Sequence, residues 1–209
     1  EMSASLVGSE MCIRDRVSED EEKKLRGEDA DNPVLFNGGM ILTDDTGREL
    51  LPSSPDGVSG GAVAYTVPAE NAQSITFTPV YHSGVYEYEE RTVTVDEMQQ
   101  GVKIATSDAG GYTLQNFAVQ GRALTWQMVP YGYAQSCELT PQDEEYIDTN
   151  TNSYAMRSST VDPTTGIISC RIDYYTADPA QVAKISEFRY LFGSGYHADE
   201  SRAVTLPLQ

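Results

Sequence analysis

From Val34 onward the chain is written in short runs that alternate apolar and polar residues, separated by Gly, Pro, Asp and Asn. This pattern constrains the fold more than any other feature. Side chains alternate across a sheet with a period of two, so such a run buries one face only as a strand. GMILTDDTGREL reads as a hairpin, with apolar Met40 to Leu42, a turn across Asp44 to Gly47, and a return through Glu49 to Leu51. AVAYTV and AQSITFTPVY read as the next strands, with Val63, Tyr65 and Val67 on one face and Ile75 and Phe77 on one face of the second. VYEYEERTVTV and GVKIATS follow. GGYTLQNFAVQ then pairs with RALTWQMVPY across a tight turn at Gln120-Gly121. In the first of that pair, Tyr112 and Leu114 share one parity while Phe117 and Val119 take the other, which requires an extra residue, a bulge near Gln115-Asn116. NSYAMRSSTV and IISCRIDYY flank the turn signal DPTTG, and SEFRYLFG and AVTLPL close the set. The one clear helix is short, near residues 179–186, with Asp178 as N-cap and Pro179 in its first position.

These runs predict an all-β chain of immunoglobulin-like sandwich domains. Residues 84–209 supply about seven strands, enough for one complete sandwich. Residues 34–81 supply too few and read as the C-terminal half of a truncated β domain. Residues 17–33, VSEDEEKKLRGEDADNP, read as a charged, solvated linker. Residues 1–16 have a different origin. LVGSEMCIRDR resembles the in-frame translation of a transposase adapter used in DNA library preparation, so this stretch is expected to be an artefact and Cys12 is not expected to be a ligand.

The net charge of −18 excludes a nucleic-acid partner and an anionic membrane surface, both of which need clustered Lys and Arg. No apolar run reaches the roughly 18 residues of a membrane span, so membrane contact is expected only through an upstream segment. GVSGG, Gly57 to Gly61, matches the pattern of a serine nucleophile. The mechanics fail, because a strand follows Ser59 where a helix is needed, and both histidines, His82 and His197, come after it. Glu87, Glu89 and Glu90 read as the solvent face of a strand, and Asp143, Glu144 and Glu145 as a solvated loop without calcium spacing. Two histidines without H-x-x-x-H or C-x-x-C predict surface or turn residues, no metal and no cofactor. No enzyme is expected.

Cys137 and Cys170 both share parity with apolar neighbours. They permit one disulfide, and two separate buried thiols are the favoured reading, because spacing does not place the Cα atoms. Trp126 lies on the face of Leu124 and Met128 and reads as core. Tyr131 and Tyr133, around Gly132 after Pro130, are the candidate ligand-binding pair, because proline ends the ladder and turns the rings off the sheet.

LTDDTGREL, GGYTLQNFAVQG, TGIISCRIDYY and AVTLPL resemble the extracytoplasmic C-terminal region of Gram-positive membrane-anchored proteins of the anti-sigma-factor-like kind. In that family a short cytoplasmic segment and one membrane helix precede β-sandwich domains of unknown function. The resemblance implies a non-enzymatic sensory or interaction module at the cell surface, working on an envelope protein or ligand. The alternative is a carbohydrate-binding or adhesion module that stacks sugars on Tyr131 and Tyr133.

Overall fold

The computed structural model describes Asp20 and residues 39–53, 64–82, 87–142 and 155–208. The adapter-like stretch, the linker apart from Asp20, the Ser59 loop and Asp143 to Glu145 lie outside the described residues. The chain is all-β, and its described residues form two sheets, two short α-helices and one 3-10 turn, Glu200–Arg202. The strands are β1 (Met40–Asp44), β2 (Glu49–Leu50), β3 (Ser74–His82), β4 (Tyr88–Thr94), β5 (Val102–Ser107), β6 (Gly110–Gln120), β7 (Ala123–Gly132), β8 (Thr140–Pro141), β9 (Ala155–Val161), β10 (Ile168–Tyr174), β11 (Glu187–Gly193), β12 (Tyr196–Ala198) and β13 (Val204–Pro207).

The first sheet runs β12-β3-β1-β2, with β13 also on β3. The expected hairpin is present: Thr43 faces Glu49 across a turn in which Gly47 takes φ 86°. Of the expected strand AVAYTV, Ala62 and Val63 lie outside the described residues, and Ala64 to Val67 form no strand. Its described part makes a single bridge, Tyr65 to Pro52, and a side-chain clamp in which Leu51 N–H donates to Thr66 Oγ1 at 3.0 Å. AVTLPL, expected with residues 84–209, pairs as β13 with β3 in the register Phe77–Val204 to Ser74–Pro207, and β12 pairs with Val80 to His82. β3 thereby becomes a central strand. Leu42, Leu50, Ile75, Phe77 and Val204 are buried together as the core of this sheet. Alternation alone could not have shown this pairing, because partners distant in sequence leave no periodic trace.

The larger sheet runs β4-β11-β5-β6-β7-β10-β9, with β8 on β11. Its two parts meet at one parallel pair, Gly193 with Ser107. There the sheet turns a corner, and β4, β11 and β8 fold over β5 to β10 as the second layer of a sandwich. Phe188 of β11 shows the closure: its ring lies 5.7 Å from Phe117 of β6 and 5.6 Å from Trp126 of β7. Met98, Leu114, Leu124, Ile172, Tyr174 and Val182 complete this core.

The expected bulge is in place, with a register shift between Gln115 and Ala118 and Asn116 at φ 56°. Phe117 is turned inward and buried, while Val119 is left largely exposed. Asn116 is the one described non-glycine residue with positive φ, a backbone that a β-branched side chain resists. Asn116→Val should therefore cost about 1–2 kcal/mol in urea unfolding, while Asn116→Gly should stay within about 0.5 kcal/mol.

Helix α1 (Val95–Gln100) was not expected. A capping box starts it: Glu97 N–H donates to Thr94 Oγ1, and Thr94 N–H donates to the Glu97 carboxylate. Gly101, at φ 86°, ends it. T-x-x-E followed by Gly was legible as a helix signature. It was hidden inside a strand-like run. Helix α2 (Pro179–Val182) has the expected cap, with Asp178 Oδ1 accepting from Ala180 N–H at 2.9 Å, but is only four residues long.

Candidate interaction surface

The structure separates the two tyrosines proposed as a pair. Both are half-buried. Tyr131 donates its hydroxyl to the Ile104 carbonyl at 3.1 Å, and Lys103 Nζ sits 4.9 Å over its ring. Tyr133 turns to the junction of the two sheets, its ring 5.3 Å from that of Tyr196 in β12. Gly132 makes this possible. At φ 57° it brings the chain so close to Ala109 that a Cβ would stand 2.2 Å from the carbonyl oxygen. Tyr133 N–H then donates to the same carbonyl at 2.9 Å, and Ser107 Oγ donates to the Tyr133 carbonyl at 2.8 Å. Glu49 of β2 lies at the same junction. Burial pushes its carboxyl up, against the pull of the Gly132 amide and Lys103. The Tyr133 ring is part of this junction and the Tyr131 ring packs on β5, so the two do not form one stacking platform.

Cys137 and Cys170 are free and half-buried against the larger core. Burial, with Cys170 and Glu138 nearby, pushes the Cys137 thiol up to about 12. Burial alone pushes the Cys170 thiol up to about 11, and Cys170 Sγ lies 3.5 Å from Met128 Sδ. Neither thiol has the low pKa of a nucleophile. Trp126 is buried as expected. His82, expected at the surface or in a turn, is instead buried on β3, its ring 4.6 Å from that of Tyr196, while His197 is exposed with its ring 5.4 Å from that of Tyr81. Glu87, Glu89 and Glu90 are exposed on and beside β4. Among the described residues no group of three or more His, Cys, Asp and Glu could hold a metal ion, and no helix is long and apolar enough to cross a membrane.

The surface that sequence reasoning passed over is the outer face of β7, β10 and β9. Ile168, Cys170, Ile172 and Tyr174 point to the core, so Ser169 and Arg171 point out. Register places Gln127, Ser169 and Thr160 in one row across the three strands, and Thr125, Arg171 and Ser158 in the next. The bulge adds Asn116, whose Nδ2 donates to Gln127 Oε1 at 2.7 Å. Together they line a groove of about 390 Å³. Arg171 is neutralised within it, with Nε and a terminal guanidinium nitrogen each 2.6 Å from the Asp173 carboxylate. That fork holds the Asp173 carboxyl below its ordinary value.

Trp126, Ser159 and Cys170 also line the groove, which offers chiefly hydroxyls and amides and no base beside a nucleophile. It can hold a ligand by hydrogen bonds, and it contains no group suited to proton abstraction. The signal for it lay in the polar halves of NSYAMRSSTV and IISCRIDYY, which read as ordinary solvent faces until the strands are paired. Comparisons with protein-family models, with curated proteins and with solved structures found no match to this chain.

Proposed function

We propose that the chain is the non-enzymatic, extracytoplasmic sensory or interaction module of a membrane-anchored regulatory protein, an immunoglobulin-like sandwich that binds an envelope protein or ligand. The observation that carries the reading is the outer face of β7, β10 and β9, where hydrogen-bonding side chains without catalytic chemistry line a groove beside an exposed sheet edge. Binding there would bias the membrane-linked partner by favouring one of its states. The likeness of LTDDTGREL and TGIISCRIDYY to anti-sigma-factor-like ectodomains supports the location. Protease treatment of intact cells carrying the full-length protein tests it. The reading expects residues 39–208 to be lost from intact cells; their survival in intact cells and loss only after lysis would contradict it.

A carbohydrate-binding or adhesion module is the second reading, favoured by the groove alone. Its volume lies within the range of small-ligand sites, and its hydroxyls and amides suit a polyol. It lacks the exposed aromatic ring that sugar stacking uses, because Tyr131 and Tyr133 are held elsewhere.

A further inference from the structure

The edge beside the groove can be read atom by atom. β9 is the last strand of its sheet, pairing only with β10 among the described residues. In an antiparallel ladder, alternate residues send their N–H and C=O to one neighbour and the rest send theirs to the other side. Two bonds fix which is which. Asp162 N–H donates to the Ile167 carbonyl at 2.9 Å, continuing the β9–β10 register, and Tyr174 N–H donates to the Arg122 carbonyl at 3.0 Å, continuing the β10–β7 register. Counting back in twos, Met156, Ser158 and Thr160 bond to β10. Ala155, Ser159 and Val161 turn their backbone donors and acceptors outward.

The other edges are blunted in the ways that usually prevent strand addition. β2 has two residues and β12 three, β13 ends at Pro207, and β4, although seven residues long, carries Glu89, Glu90 and Arg91. β9 is also seven residues long, keeps an unbroken register with β10, and has neither proline nor lysine. Its single charge, Arg157, is met by Glu138 at 3.1 Å.

We infer that β9 is a docking edge that takes an extended, basic strand of a partner polypeptide, adding it to the sheet beside the groove. This rests on the reading of the chain as an interaction module and names the occupant of that surface. Outward N–H and C=O groups at Ser159 and Val161, two residues apart, match an extended backbone, whereas a helix has already spent its own. On the groove side, the incoming side chains would stand beside Ser158 and Thr160, where hydroxyl-bearing residues pair well. Charge selects a basic strand. The chain carries −18 overall, which repels a second copy and attracts Lys and Arg.

The test uses the purified chain and a synthetic heptapeptide, acetyl-Lys-Thr-Val-Thr-Val-Thr-Lys-amide, with residue-resolved amide exchange as readout. The peptide at about 1 mM should slow exchange at Ser159 and Val161 roughly tenfold and leave Ser158 and Thr160 unchanged. The same peptide with Glu in place of Lys should protect far less. Ser159→Pro removes one outward donor without touching the β10 ladder and should abolish the effect. Ser159→Lys keeps the donor, sets like charge against the peptide, and should weaken protection even if the proline variant does not fold. No protection at Ser159 and Val161, equal protection by the acidic peptide, or protection that grows with protein concentration alone would overturn the inference. These outcomes are independent of protease access in cells, so failure of the docking edge and failure of the extracytoplasmic reading are distinguishable.

Discussion

Phe188→Ala is expected to lower unfolding free energy by about 4 kcal/mol, within the roughly 3–5 kcal/mol range for burying and then deleting a phenyl ring. Phe188 is fully buried. Its ring is the direct contact between the β4–β11 layer and the facing sheet, meeting Phe117 edge-on at 73° and Trp126 at 55°. Both partners are themselves fixed, Phe117 by the bulge and Trp126 by a strand paired on both sides. They cannot collapse into the space, so the cavity cost adds to the lost transfer energy. Urea unfolding should show a lower midpoint with an unchanged slope. Phe188→Leu should recover more than half of the loss. An effect below about 1 kcal/mol would mean that the two layers do not pack as described.

The second large effect belongs to the smaller sheet. Asp44 is a buried carboxylate whose hydrogen bonds go largely to the backbone. Its Oδ1 accepts from Thr46 N–H at 3.0 Å, Thr46 Oγ1 at 2.6 Å and Arg48 N–H at 2.9 Å; its Oδ2 accepts from Ala69 N–H at 2.9 Å. The first three close the β1–β2 turn. The fourth ties down the segment that follows Tyr65, a residue packed against the core of this sheet. Asp44→Ala leaves these donors short of an acceptor and should cost roughly 3 kcal/mol or more. Asp44→Asn keeps Oδ1 but can set an amide nitrogen against Ala69 N–H, so a cost of about 1–3 kcal/mol is expected.

Burial pushes the Asp44 carboxyl up, and its hydrogen bonds outweigh burial, so its pKa in the fold lies below the ordinary value. A group lowered by folding stabilises the protein at pH values above its unfolded pKa, about 3.9. That stability is lost as pH falls through the folded value. Thermal midpoints of the wild type should therefore drop below about pH 4 more steeply than those of Asp44→Ala. Parallel curves would contradict the assignment.

What the sequence made legible follows from the range of each interaction. Hairpins, the Gln115-Asn116 bulge and the Asp178 cap are set by residues within a few positions of one another, and all three are present. The second layer and the closure of β3 by β12 and β13 are set by pairings between distant segments, which alternation does not encode. AVAYTV shows the opposite error. It has strand periodicity, yet Tyr65 and Thr66 use their polar groups on the β2 end instead of extending a ladder. The candidate surface was illegible for the same reason as the closure. Ser158, Ser169 and Gln127 are unremarkable polar positions on three separate runs, and only their alignment makes a groove. Tyr131 and Tyr133 are visible in the sequence because they lie only two positions apart. Gly132 then sends them to different surroundings.

Residue-resolved amide exchange of the free protein tests most directly the claim that, among the described strands, β9 is the edge this scaffold offers to a partner. Ile75, Thr76 and Phe77 of β3, flanked by β1 on one side and β13 on the other, should all exchange slowly. Along β9 the pattern should alternate, with Ser158 and Thr160 slow and Ser159 and Val161 fast. Uniformly slow exchange along β9, or fast exchange through Ile75 to Phe77, would contradict the account.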